Sequence, residues 1–221
     1  MNSSVANDML LNFRWHHDQS PLHKLTLGDL FDETVRNQHL NRLVNEFGSP
    51  SRAHAASMTA KRIGYVAALM IYARIKHNVL INPVKCTFIT IPEESAKAGW
   101  LPVYSFPLST GAPIESTIEW VAKELYAQLL VPLVELLAKE KGISRVVLYE
   151  NLYTYMKWVF ITKLQEGATF QELIEVPISD FGVVKQHPIA TYANEQKSTR
   201  KTCCLYYQTD GAVKSCKSCP L

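Results

Sequence analysis

Four of the chain's five cysteines lie in its last 19 residues. Cys203 and Cys204 are adjacent, eleven residues follow, and Cys216 and Cys219 close the set with two residues between them. The Cys216–Cys219 spacing lets two thiolates grip one metal centre from a tight turn. Four thiolates suit a tetrahedral zinc or an iron–sulfur cluster, both of which take soft ligands. The doublet favours the cluster. Neighbouring side chains on an extended backbone point to opposite sides, and structural zinc sites prefer ligands two to four residues apart. A two-iron cluster is wider and accepts an unusual spacing more readily.

The charge distribution agrees with a metal-thiolate site of either kind. Residues 197–221 carry Lys197, Arg200, Lys201, Lys214 and Lys217 against Asp210 alone, a net +4. The whole chain is +3, so residues 1–196 are at −1 and the protein is not a generally basic nucleic-acid binder. Positive charge and N–H donors beside cluster sulfurs offset thiolate charge and raise the reduction potential.

Other groups with reactive side chains are weaker signals. His16, His17, Asp18 and His23 share a polar N-terminal segment without ligand spacing. Asp180 and His187 could exchange a proton, but no nucleophile accompanies them. Cys86 sits in an apolar run and reads as a small buried hydrophobe. There is no phosphate-binding loop and no dinucleotide fingerprint. The longest apolar stretch, 63–73, is too short for a span that needs about 20 residues. With no secretory leader at the start, the expected location is the cytoplasm, with peripheral association at the inner membrane left open.

The elements that must hold the cysteines are mostly helices. Apolar spacing predicts helices over 28–47, 57–77, 114–130 and a further turn or two past Pro132. Ser144 is placed to cap a helix running to about Gln165, with Gly167 as its stop, and 170–175 reads as one more. Lys85–Ile91 and Trp100–Phe106 read as strands, the second at a sheet edge because of Pro102. The expectation is a mainly helical α+β single domain with a small sheet. Its body covers 1–195, and a cysteine-rich cluster-binding segment covers 196–221.

The run Arg200-Lys201-Thr202-Cys203-Cys204-Leu205-Tyr206-Tyr207, with the closing Cys216-Lys217-Ser218-Cys219-Pro220-Leu221, resembles the C-terminal signature of the FhuF-like ferric-siderophore reductases. The gap here is eleven residues, one more than in that pattern, and Gly211 inside it allows a turn to absorb the extra residue. A shorter echo is Val147-Leu148-Tyr149-Glu150-Asn151, similar to an internal element of the family. The resemblance implies a [2Fe–2S] cluster on Cys203, Cys204, Cys216 and Cys219. It also implies an oxidoreductase that passes one electron to siderophore-bound Fe(III) and so releases Fe(II).

A ferric siderophore and a ferredoxin- or flavin-reductase-like electron donor are the implied partners, with no nucleic acid and no integral membrane span. Trp100, Tyr104, Arg145 and Tyr149 are the candidate substrate contacts, and Tyr153, Trp158 and Lys85 are further ones. Aromatics at helical spacing are more often core than pocket. Two other classes compete: a zinc-stabilised interaction or nucleic-acid-binding module, and an iron–sulfur sensor or siderophore-binding protein without turnover.

Overall fold

The computed structural model describes residues 3–14, 24–90, 100–106, 108–110, 116–193, 199–209 and 219–220. The described part is mainly helical with small antiparallel sheets, as expected. Its helices are α1 (Ser3–Asn12), α2 (Glu33–Glu46), α3 (Arg52–His77), α4 (Thr117–Leu137), α5 (Arg145–Leu164) and α6 (Gly167–Glu175).

The central element is α3. Its 26 residues make a rod about 39 Å long. Ala53, Ala55, Ala56, Ala60, Ala67, Ala68 and Ala73 are buried, so neighbouring elements approach its backbone closely. The helix begins earlier than apolar spacing predicts, because its first turns are alanine-rich and not Leu- or Ile-rich. Ser51 is the cap, with its hydroxyl accepting the His54 N–H at 3.2 Å. Arg52 then ties three elements together. It pairs with Glu140 at 2.6 Å and donates to Asn37 and Asn41 of α2.

The pairing of α3 with α5 is the most extensive in the fold. Gly64 makes it possible. A Cβ there would lie 3.0 Å from the Tyr155 ring and 3.2 Å from the Leu152 Cα. Glycine in a helix interior costs about 1 kcal/mol relative to alanine, and here it allows the two axes to close. Ser144 caps α5 through the Val147 N–H, as expected. The helix ends differently. Gln165 takes the left-handed conformation at φ 60° and stops it, whereas Gly167 begins α6. Trp120–Leu130 of α4 and Trp158–Leu164 of α5 are wound as π-helix. Pro132, which lacks an N–H, sits where α4 returns to α-winding.

One sheet has the order β1 (Lys24–Thr26), β3 (Thr87–Ile89), β4 (Val103–Ser105). Its register aligns Leu25, Phe88 and Tyr104 across the three strands. Pro102 directly precedes the edge strand β4, the position that its missing N–H requires. A second ladder joins β2 (Val79–Ile81) to β5 (Leu108–Thr110). Among the described residues no helix is long and apolar enough to cross a membrane.

Gly64→Val is expected to cost about 1–3 kcal/mol by overpacking the α3–α5 contact. Chemical denaturation measures it, and an unchanged midpoint would show that the helices do not depend on that approach.

Candidate iron–sulfur site

The described tail residues 199–209 lie against one face each of α3 and α5. On α3 the contacts come from His54, Ser57 and Lys61, spaced three and four apart and so aligned along one stripe. On α5 they come from the adjacent Glu150 and Asn151.

Glu150 is the principal anchor. It is 3 % exposed. Its carboxylate accepts the Lys201 N–H at 2.6 Å, the Thr202 N–H at 2.8 Å and the Thr202 hydroxyl. Arg200 Nε lies 3.7 Å from the same carboxylate. A buried carboxylate needs compensating donors and charge, and the tail supplies both from three consecutive residues. Asn151 extends the network. Its Oδ1 accepts from Arg200 Nη2 at 2.7 Å, and its Nδ2 donates to the Ser57 carbonyl and hydroxyl at 3.1 and 3.0 Å. The Ser57 hydroxyl donates in turn to the Cys204 carbonyl at 2.7 Å. Further along, His54 Nε2 meets the Thr209 hydroxyl at 3.0 Å while Nδ1 meets Ser49 at 2.9 Å. Burial, aided by the nearby Lys61 cation, holds His54 down at about 4, so this imidazole is neutral at ordinary pH.

The doublet sits at the centre of this network. Leu205 adopts φ 64°, a left-handed conformation rare for a branched side chain. The resulting turn aims its N–H at Cys203 Sγ, 3.3 Å away. Burial raises the Cys203 thiol above its ordinary range. The Leu205 N–H opposes that rise, and Cys219, within hydrogen-bonding reach, and Cys204 add to it. Cys204 is buried, and its sulfur lies 3.8 Å from Lys61 Nζ. Lys61 also sits over the Tyr206 ring, 4.5 Å from its centroid.

The structure therefore brings Cys203 and Cys219 together, while Cys204, next in the chain, faces an ammonium. Cys216 lies outside the described residues, as do Gly211 and the His16, His17, Asp18 and His23 group. Among the described residues no three His, Cys, Asp or Glu side chains gather at metal-binding distance. The donor chemistry nevertheless fits a thiolate-bound group. A backbone N–H on one sulfur and an ammonium on another are the outer partners that thiolate ligands take.

Residues 200–221 match the family model of the FhuF 2Fe-2S C-terminal domain. The cofactor that the cysteine spacing favours, a [2Fe–2S] cluster, is the one that this domain carries in its name. No curated protein matches the chain.

A cavity of about 330 Å³ opens beside Cys204, in the groove between α3 and α5. Tyr65, Tyr155 and Trp158 line it, with Lys61 and Arg200 at the cysteine end. Of these only Trp158 is among the sequence-derived substrate contacts. Trp100 and Tyr104 are about 1 % exposed in the core, where Trp100 donates to Thr90 at 3.0 Å and Tyr104 stacks on Tyr65. Tyr149 and Tyr153 are buried, and Arg145 is held by Glu135 at 2.7 Å. Lys85 ends a 3₁₀ turn ahead of β3. Trp100, Tyr104, Arg145 and Tyr149 are thus absent from this cavity's lining. Cys86 is fully buried and its thiol is pushed far up by burial, so it behaves as a hydrophobe. His187 works as a turn device, accepting the N–H groups of Ile189 and Ala190.

Lys61 was not singled out from the sequence, because a lysine on a helix reads as a solvated face. Its geometry gives it a measurable role. Lys61→Met keeps the stem and removes the charge, which is expected to lower the midpoint potential of the cluster-loaded protein. A charge effect of about 1.4 kcal/mol corresponds to about 59 mV for one electron. Redox titration followed by visible absorption reads the shift, and an unchanged potential would remove Lys61 from the site.

Proposed function

We propose that the protein is a ferric-siderophore reductase that takes one electron from a cellular one-electron donor and passes it to siderophore-bound Fe(III). The observation that carries this reading is the match of residues 200–221 to a FhuF-type 2Fe-2S domain. The seating of that segment beside a cationic, aromatic cavity supports it.

Oxygen-rich chelators hold hard Fe(III) far more tightly than Fe(II), so a single electron turns a locked ion into an exchangeable one. The bound cluster supplies a one-electron redox couple. The chain's own residues do the rest. Cys203, Cys204, Cys216 and Cys219 are the proposed ligands. Glu150, Asn151 and Ser57 fix the doublet against the body, and Leu205 and Lys61 stabilise negative charge on two of the sulfurs. No general acid, base or nucleophile is required. The substrate Fe(III) is reduced to Fe(II), the donor is oxidised by one electron, and no bond is made or broken by the protein.

Anaerobically purified protein is expected to be brown, with visible absorption and an EPR signal on reduction. Addition of a ferric siderophore should reoxidise it and yield trappable Fe(II). Cys204→Ser should lose colour and turnover together. A colourless protein carrying one zinc would overturn the reading in favour of a zinc module. A reduced cluster that ferric chelates never reoxidise would overturn it in favour of a sensor.

A further inference from the structure

The groove beside Cys204 is one part of a larger exposed face. Its aromatic side chains pack on one another. Tyr65 stacks on Trp158 at 5.9 Å and on Tyr104 at 5.2 Å, and Tyr155 meets Tyr65 edge-on at 5.6 Å. They form one joined wall. On the other side of α5, Tyr153, Lys157, Ile161, Phe170 and Ile174 line a second groove against α6. The ridge between the two grooves carries Thr154, which is exposed, and Ile161 beyond it is 44 % exposed.

Three lysines stand around this ridge. Lys61 of α3 is at the Cys204 end, Lys163 Nζ lies over the Trp158 ring at 5.4 Å, and Lys157 is exposed one residue before Trp158. None of the three pairs with a carboxylate among the described residues, whereas Arg42, Arg52, Lys76, Lys123 and Arg145 each do. Among the described residues no Asp or Glu lines either groove. Arg200 is engaged by Glu150 and Asn151 and adds nothing to the free charge of the face. Uncompensated cations of this kind raise the local concentration of an anionic partner. An apolar centre within a charged rim is the anatomy of a protein interface. Electron-transfer pairs use small interfaces of this type and rely on charge for encounter.

We propose that this face receives the electron donor, a small acidic one-electron carrier protein, which rests on Trp158, Thr154 and Ile161 between the lysines and delivers its electron through Cys204. The proposal rests on the reductase reading and names its partner. The carrier is oxidised by one electron, the loaded site is reduced by the same electron, and no bond is made or broken.

Stopped-flow mixing of cluster-loaded protein with a reduced plant-type ferredoxin, an acidic carrier, tests it. Second-order reduction should slow about tenfold or more as salt rises from about 20 to about 500 mM. At low salt, Lys157→Glu should slow it about threefold and Lys157→Glu with Ile161→Glu about tenfold, while Lys157→Arg keeps the parent rate. All three variants should keep the parent's visible spectrum and midpoint potential. Carbodiimide treatment of the mixture should join Lys157 to a carboxylate of the carrier. Salt-independent reduction, or reduction of Lys157→Glu at the parent rate, overturns the proposal. So does a Lys157→Glu variant whose loss is confined to reoxidation by a ferric siderophore, because the face then serves the chelate. Reoxidation also separates this proposal from the reductase reading. Charge-dependent reduction that yields a cluster which ferric chelates never reoxidise upholds the face and removes the reductase. Parent-rate reduction of Lys157→Glu, followed by prompt reoxidation, does the reverse.

Discussion

A buried carboxylate on a helix organises this site. Glu150 points from α5 at the tail and receives two backbone N–H groups, a hydroxyl and a guanidinium from Arg200, Lys201 and Thr202. Removing one partner of such a network leaves an uncompensated buried charge, at a typical cost of about 3–5 kcal/mol. Without Glu150, the Lys201 and Thr202 N–H groups would lose their acceptor and Arg200 would keep Asn151 alone. The residues immediately before the cysteine doublet are therefore anchored on α5 through a buried network.

The rest of the site follows from that anchorage. With 200–202 fixed on α5, Ser57 and His54 of α3 can hold the Cys204 carbonyl and Thr209, and the doublet spans the seam between the two helices. Gly64 brings those helices close enough for the seam to exist. Where the stripe of α3 continues past Lys61 to Tyr65, and that of α5 past Asn151 to Tyr155 and Trp158, the seam widens into the cavity. Among the described residues, the tail's own cations are engaged away from the sulfurs. Arg200 is committed to Glu150 and Asn151, and Lys201 reaches the Thr191 carbonyl. The ammonium at Cys204 comes from the body, through Lys61.

Some of this was legible in the residues and some was not. The cysteines declared themselves by type and spacing, because few other purposes require four thiols so close together. Helix starts at Ser144 and the edge character of the strand after Pro102 followed from hydrogen-bonding rules that act locally. The early start of α3 was hidden because alanine is a weak hydrophobic signal. The end of α5 at Gln165 was missed because a non-glycine residue took the left-handed position. Glu150, Asn151 and Lys61 are polar residues on helices, and pattern alone assigns such residues to solvent. The one trace of them was the Leu148-Tyr149-Glu150-Asn151 echo, whose last two residues are the pair that grips the tail. The residues lining the cavity come from two helices and the tail, and only their assembly reveals them.

The central claim is that a carboxylate clamp makes the cluster-bearing tail part of the folded body. Native-state hydrogen exchange of cluster-loaded protein addresses it directly, by comparing the Lys201 and Thr202 amides with those of α5 in the parent and in Glu150→Gln. The account predicts that both tail amides exchange as slowly as the α5 interior in the parent, and that Glu150→Gln releases them while α5 stays protected. Rapid exchange at 201 and 202 in the parent protein, or protection that survives Glu150→Gln, would contradict it.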